Sequence, residues 1–160
     1  MILDEDSKGR SRRRENGQEE RVMSERHPAV GTWRVGVEIP GAPAGMVNLA
    51  TFSLDGGVVV AFPSPTPAAP GAGHQLEYWT PALGRWESTD SQSAVMYFTS
   101  LGVTELGASV GAHSISATVQ ASANAQELTG PFTITITGAD GSTLGSVSGT
   151  ITATRITAQG

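Results

Sequence analysis

Three histidines, a scatter of carboxylates and no cysteine make up most of the reactive chemistry of this 160-residue chain. Without a thiol, disulfides, thiolate nucleophiles and cysteine-held metal clusters are excluded. His27, His74 and His113 lie far apart, with no i, i+2 or i, i+4 spacing, so no metal site is expected. His113 shares the alternation of Gly111, Ile115, Ala117 and Val119, which places an imidazole on an apolar strand face. Two roles are open to it there: a hydrogen-bonded core histidine, or a group that transfers a proton or polarises a carbonyl. Tyr97 and Asn48 are further hydrogen-bond donors for a carbonyl, and Asn48 alternates with Met46, Ala50 and Phe52 so as to offer an inward amide. His113 and Tyr97 are therefore the catalytic candidates. Glu77, Glu87 and Asp90 flank the aromatic region as bases or as plain solvated carboxylates. Gly107-Ala108-Ser109-Val110-Gly111 matches a nucleophile elbow in letters only, because it enters a strand and not a helix. No phosphate loop or dinucleotide fingerprint occurs, and no cofactor is expected.

The elements that hold these residues have period two. From Val30 onward apolar and polar residues alternate, broken about every ten residues by Gly, Pro or Asp-Gly, which predicts antiparallel strands over 30–39, 46–54, 57–62, 84–89, 93–101, 109–121, 130–137 and 143–156, with 75–80 as an edge. Phe132, Ile134 and Ile136 against Thr133, Thr135 and Thr137 give the clearest two-faced strand, and Asp140-Gly141 turns it into the last one. Seven or eight sequential strands with short links describe an all-β, up-and-down sheet whose edges are best removed by closing it into an eight-stranded barrel. The exception is Pro63–Pro81, with five prolines, expected as a long rim loop: a stiff spacer, or a flap that carries His74, Glu77, Tyr78 and Trp79 to a cavity.

Charge divides the chain. Residues 1–28 carry seven bases and seven acids, whereas 29–160 keep Arg34, Arg85 and Arg155 against eight acids and so hold the whole net charge of −5. The expected organisation is a charged N-terminal extension, 1–28, and a barrel domain, 29–160. The extension reads as a solvated tail, as an extended start before Met23, or as a short helix at Gln18–Arg26 that lids the cavity. An acidic body is a poor nucleic-acid platform, and no apolar run approaches the ~18 residues of a membrane helix, so neither partner is expected. With no secretory h-region after the charges, the cytoplasm is the expected location. A homodimer is compatible with all of this.

Gly31-Thr32-Trp33 at the first strand and Arg155 in the last resemble the signature of the lipocalins and wider calycins, over roughly 30–158. That resemblance implies a structural pairing of Trp33 with Arg155, in which a guanidinium over an indole contributes ~0.5–2 kcal/mol. With Trp33 inward, Val35, Val37 and Ile39 follow it, and Val147, Gly149, Ile151 and Ala153 share the parity of Arg155. Gly111, Ala117, Gly149 and Ala153 are small, so the barrel is expected to enclose a cavity, with one aromatic wall and one shallow wall. Its expected ligand contacts are Asn48, Phe52, Glu77, Tyr78, Trp79, Trp86, Met96 and Phe98. The absence of cysteines and of a Thr-Asp-Tyr-like turn departs from secreted lipocalins. In size, barrel type and tail the chain resembles small intracellular barrels of natural-product pathways that fold a polyene for [4+2] cycloaddition to spirotetronates or spirotetramates. What this implies is a cofactor-free cyclase of a polyketide-like substrate. A carrier of a hydrophobic small molecule and a barrel with a filled interior are the alternatives.

Overall fold

A computed structural model describes residues 26–158. All of the tail expected as disordered or as a lid, apart from its last three residues, lies outside the described residues.

Every element among the described residues is a strand: β1 (Gly31–Glu38), β2 (Met46–Phe52), β3 (Gly57–Ala61), β4 (Thr66–Pro67), β5 (Leu76–Trp79), β6 (Ala82–Ser88), β7 (Ser93–Thr104), β8 (Ser109–Ala121), β9 (Glu127–Thr137) and β10 (Thr143–Arg155). All pairings are antiparallel. The sheet runs β6-β3-β2-β1-β10-β9-β8 and closes through β7, which pairs with both β8 and β6. This is a closed eight-stranded antiparallel barrel, in which each of the eight strands has a partner on both sides. Alternation builds it as expected: Trp33, Val35, Ala50, Phe52, Met96, Phe98, Ile115, Ala117, Val119 and Phe132 are all buried. The outer faces carry hydroxyl pairs across neighbouring strands, Thr32–Thr51 at 3.2 Å, Thr99–Ser114 at 3.3 Å and Thr133–Ser148 at 3.0 Å.

Pro63–Pro81 is not a loop. β4 pairs with β5, and β5 continues the side of β7 that β6 occupies lower down, so β3–β4 and β5–β6 are two long, interrupted staves. They rise above the barrel as a ribbon whose tip closes through Ala68 N–H donating to the Gln75 carbonyl at 2.9 Å. Pro67 is tolerated because β4 has a partner on one side only. The segment 75–80 is likewise no edge, since β5 is bonded to both β4 and β7. The break at Thr80-Pro81 is bridged by side chains: Ser100 Oγ donates to the Thr80 carbonyl at 2.6 Å and Thr80 Oγ1 accepts from Leu101 N–H at 3.1 Å.

The end away from the ribbon is plugged. Trp33 is fully buried, and its Nε1–H donates to the Ala29 carbonyl at 2.9 Å. Arg155 lies 4.2 Å from the centre of that indole. Its guanidinium donates to the carbonyls of Ala125 at 2.7 Å, Val30 at 2.8 Å and Pro28. Gly31 has φ +141°, and a Cβ there would run into the guanidinium, which accounts for the glycine of Gly-x-Trp. His27 joins the plug. Its Nδ1 accepts from Ala29 N–H at 3.1 Å, so Nε2 carries the proton given to the Asp90 carbonyl at 3.0 Å, and its ring sits 5.3 Å from Trp86.

Candidate functional site

Above the plug the barrel holds a cavity of about 770 Å³. Its walls are the inward positions of the staves: Val35, Val37 and Ile39 from β1 and its end, Asn48, Ala50 and Phe52 from β2, Met96, Phe98 and Ser100 from β7, His113, Ile115 and Ala117 from β8, Phe132, Ile134 and Ile136 from β9, and Val147 and Ile151 from β10. The ribbon contributes Thr66, Pro67, Ala69, Glu77 and Trp79. The proline-rich segment therefore borders the cavity, as its flap reading expects.

Of the residues singled out by sequence, Asn48, Phe52, Glu77, Trp79, Met96, Phe98 and His113 meet in this one space. Tyr97 does not. It lies 57% exposed between buried Met96 and Phe98, because alternate residues of a strand face opposite ways. The same parity turns Tyr78 out between Glu77 and Trp79, where it is exposed. Neither phenol can reach a guest in the lumen. Trp86 is buried, but at the plugged end, with its Nε1–H donating to the Ser53 carbonyl at 2.8 Å, so it is part of the floor and not of the cavity wall.

The wall expected to be shallow is lined with rings and branched chains. Phe132 pairs with Gly149 and leans over it: a Cβ on that glycine would sit 2.8 Å from the Phe132 ring. Trp79 does the same with Gly102 of β7. Its ring lies over the glycine and reaches β8, where it stacks on His113 with centroids 3.8 Å apart and planes at 15°. Sequence reasoning missed both aromatic–glycine contacts and the cavity-facing role of Phe132. Parity along β9 gives the direction of Phe132, but nothing local gives the partner of a glycine.

Polar groups in the lumen are few. Asn48 is 7% exposed, and its amide has no hydrogen-bonding partner among the described residues. No fully enclosed side-chain nitrogen or oxygen is left without a partner there, so the amide's polar atoms reach open space. Burial pulls the His113 imidazole below its ordinary value of 6.5, and the Glu77 carboxylate opposes that shift. Burial thus favours the neutral imidazole of His113. Glu77 Oε1 lies 3.0 Å from His74 Nε2, while His74 Nδ1 lies 3.1 Å from the Ala72 carbonyl. Among the described residues no three His, Cys, Asp or Glu side chains gather as a metal site, and no helix is long and apolar enough to cross a membrane.

The geometry can therefore enclose an apolar molecule, offer it one buried amide, and meet it at the ribbon with an imidazole and a carboxylate. No family model matches this chain, and neither a curated protein nor a solved structure is significantly similar to it, so what the lumen does rests on the chemistry of its walls.

Proposed function

We propose that this barrel binds a hydrophobic small molecule in its lumen. The carrying observation is the cavity itself: about 770 Å³, walled almost wholly by aliphatic and aromatic side chains, lies within the 300–1,000 Å³ range of small-molecule sites. The elongated shape of an eight-stranded barrel suits a chain-like or polycyclic guest. Asn48 orients it, because an unpartnered amide in an apolar space gains most from a guest carbonyl or hydroxyl.

That amide also supports a second reading, cyclisation of the guest. An intramolecular [4+2] closure converts three π bonds into two carbon–carbon σ bonds and one ring double bond, with no atom gained or lost. It needs no cofactor, only a folded conformer and polarisation of the activating carbonyl. Confinement supplies part of the up to ~7–11 kcal/mol available from orientation. Asn48 N–H, or the neutral His113, would donate to the carbonyl oxygen as charge develops there.

Titration with linear conjugated polyenes, followed by quenching of tryptophan fluorescence, tests the first reading, and mass-neutral conversion of a bound polyene carrying an activated alkene tests the second. Saturable binding without a new isobaric product leaves a carrier. Failure of every apolar guest to bind would remove both.

A further inference from the structure

The charges around the lumen choose among guests, an inference that rests on the lumen being a binding site. Among the described residues no lysine or arginine lines it. Arg34 faces solvent, Arg85 spends a guanidinium N–H on the Asp55 carbonyl outside the barrel, and Arg155 is committed beneath the floor. Among the described residues the lining side chains able to carry charge are Glu77 and His113, and burial disfavours the cationic form of the second. His74, beside Glu77, has both ring nitrogens engaged, one by Glu77 and one by the Ala72 carbonyl. A carboxylate, sulfate or phosphate head entering this space would lose water, find no counter-ion among the described lining residues and face a carboxylate. The opposite holds for a hydrogen-bond donor. Glu77 shares one oxygen with His74, its Oε2 has no partner among the described residues, and Trp79 lines the same space two residues away on the same face of β5.

We propose that the guest's polar end is an N–H or O–H donor, a protonated amine or a hydroxyl, seated on the Glu77 carboxylate at the ribbon, and that anion-headed amphiphiles with the same tail are rejected. The lumen is accordingly not a fatty-acid site.

The test uses the full chain and three guests with one tail: dodecylamine, 1-dodecanol and dodecanoate, each below its micellar concentration at pH 7.5, displacing the neutral fluorophore N-phenyl-1-naphthylamine. A common tail makes the apolar contribution equal, so the ratio of dissociation constants reports the head. The amine and the alcohol are expected to bind at least tenfold more tightly than dodecanoate. Glu77→Gln keeps the side chain's size and removes its charge, and is expected to narrow the amine-to-dodecanoate ratio at least tenfold while the fluorophore still binds. Dodecanoate binding within threefold of dodecanol, or a ratio unmoved by Glu77→Gln, overturns the inference and leaves the hydrophobic site standing. If neither the fluorophore nor any of the three guests binds, the site itself falls and the inference with it.

Discussion

Gly102→Ala is the smallest change that tests how the mouth of the cavity is built. The added methyl would lie 2.8 Å from Trp79 Cη2 and Cζ3 and 2.6 Å from Val110 Cγ2. Carbon atoms rest at about 3.5–4.0 Å, so the indole must retreat by roughly 0.7–1.2 Å. It cannot slide along β7 without leaving His113, on which it stacks at 3.8 Å. Part of the ~0.5–1.5 kcal/mol of an aromatic pair is lost, and overpacking adds ~1–3 kcal/mol. Removing a strand glycine returns about 0.5–1 kcal/mol. The net is a destabilisation of about 1–3 kcal/mol, which lowers the thermal midpoint by roughly 3–10 °C for a chain of this size. Thermal unfolding reads the midpoint. Proton NMR reads the stack directly, because the His113 ring protons lie in the ring current of Trp79 and should move downfield when the indole withdraws. A midpoint that is unchanged or higher, together with unmoved His113 resonances, would refute the account of Trp79 lying over Gly102.

Three further outcomes are expected. Arg155→Met strands the carbonyls of Ala125, Val30 and Pro28 and removes the cation over Trp33; a loss of ~3–5 kcal/mol follows, measured by urea unfolding, with Arg155→Lys intermediate. Asn48→Leu removes a buried amide that has no partner among the described residues, so stability should hold or rise, while calorimetry should show the preference for a ketone guest over its matched hydrocarbon disappearing. His113 is held below 6.5 by burial, so between its folded value and about 6.5 the unfolded chain binds more protons than the folded one. Stability contributed by His113 is therefore complete above about pH 6.5 and is lost as pH falls through that window; urea midpoints taken from pH 7.5 down to 5 should decline, and His113→Gln should flatten the decline.

The barrel was legible because its signal is local and repeated. Period-two alternation, Asp-Gly turns and the pair Trp33 and Arg155 are all visible in the letters, and turn residues behave as their chemistry requires. Asp140 Oδ1 accepts from Ser142 Oγ and N–H at 2.6 and 2.9 Å, which holds that carboxyl below its ordinary value, and Gly141 takes φ +83°. Tyr97 and Tyr78 failed because residue type was allowed to outvote parity, whereas Trp86 points inward and failed by its height in the barrel. Met96, Tyr97 and Phe98 cannot all face one lumen, nor can Glu77, Tyr78 and Trp79, and in each triplet the structure keeps the outer two. The ribbon was illegible for another reason. Prolines mark where a strand cannot donate, but only the fold shows that β4 has a single neighbour and that Thr80 and Ser100 side chains carry the bonding across the break. His27, grouped by composition with the charged tail, belongs to the floor through bonds to Ala29 and Asp90 that no local pattern encodes.

The origin of the empty space differs from the one that composition suggests. Small inward residues, Gly149 among them, were expected to leave one wall shallow, yet at Gly149, as at Gly102 of β7, a neighbour's ring takes the place of the missing side chain. An aromatic that leans sideways over a glycine lies flat along the wall, whereas one flanked by larger residues must point toward the axis. Phe132 and Trp79 both line the lumen, each packed against a glycine of a neighbouring strand. In an eight-stranded barrel, whose interior is just wide enough for its own side chains to close, that difference in ring direction decides between a packed core and a chamber. The two glycines serve the cavity by steering rings as well as by being small. Because the Trp79 ring continues past Gly102 to His113, the residue that packs over the glycine also stacks on the imidazole that lines the lumen.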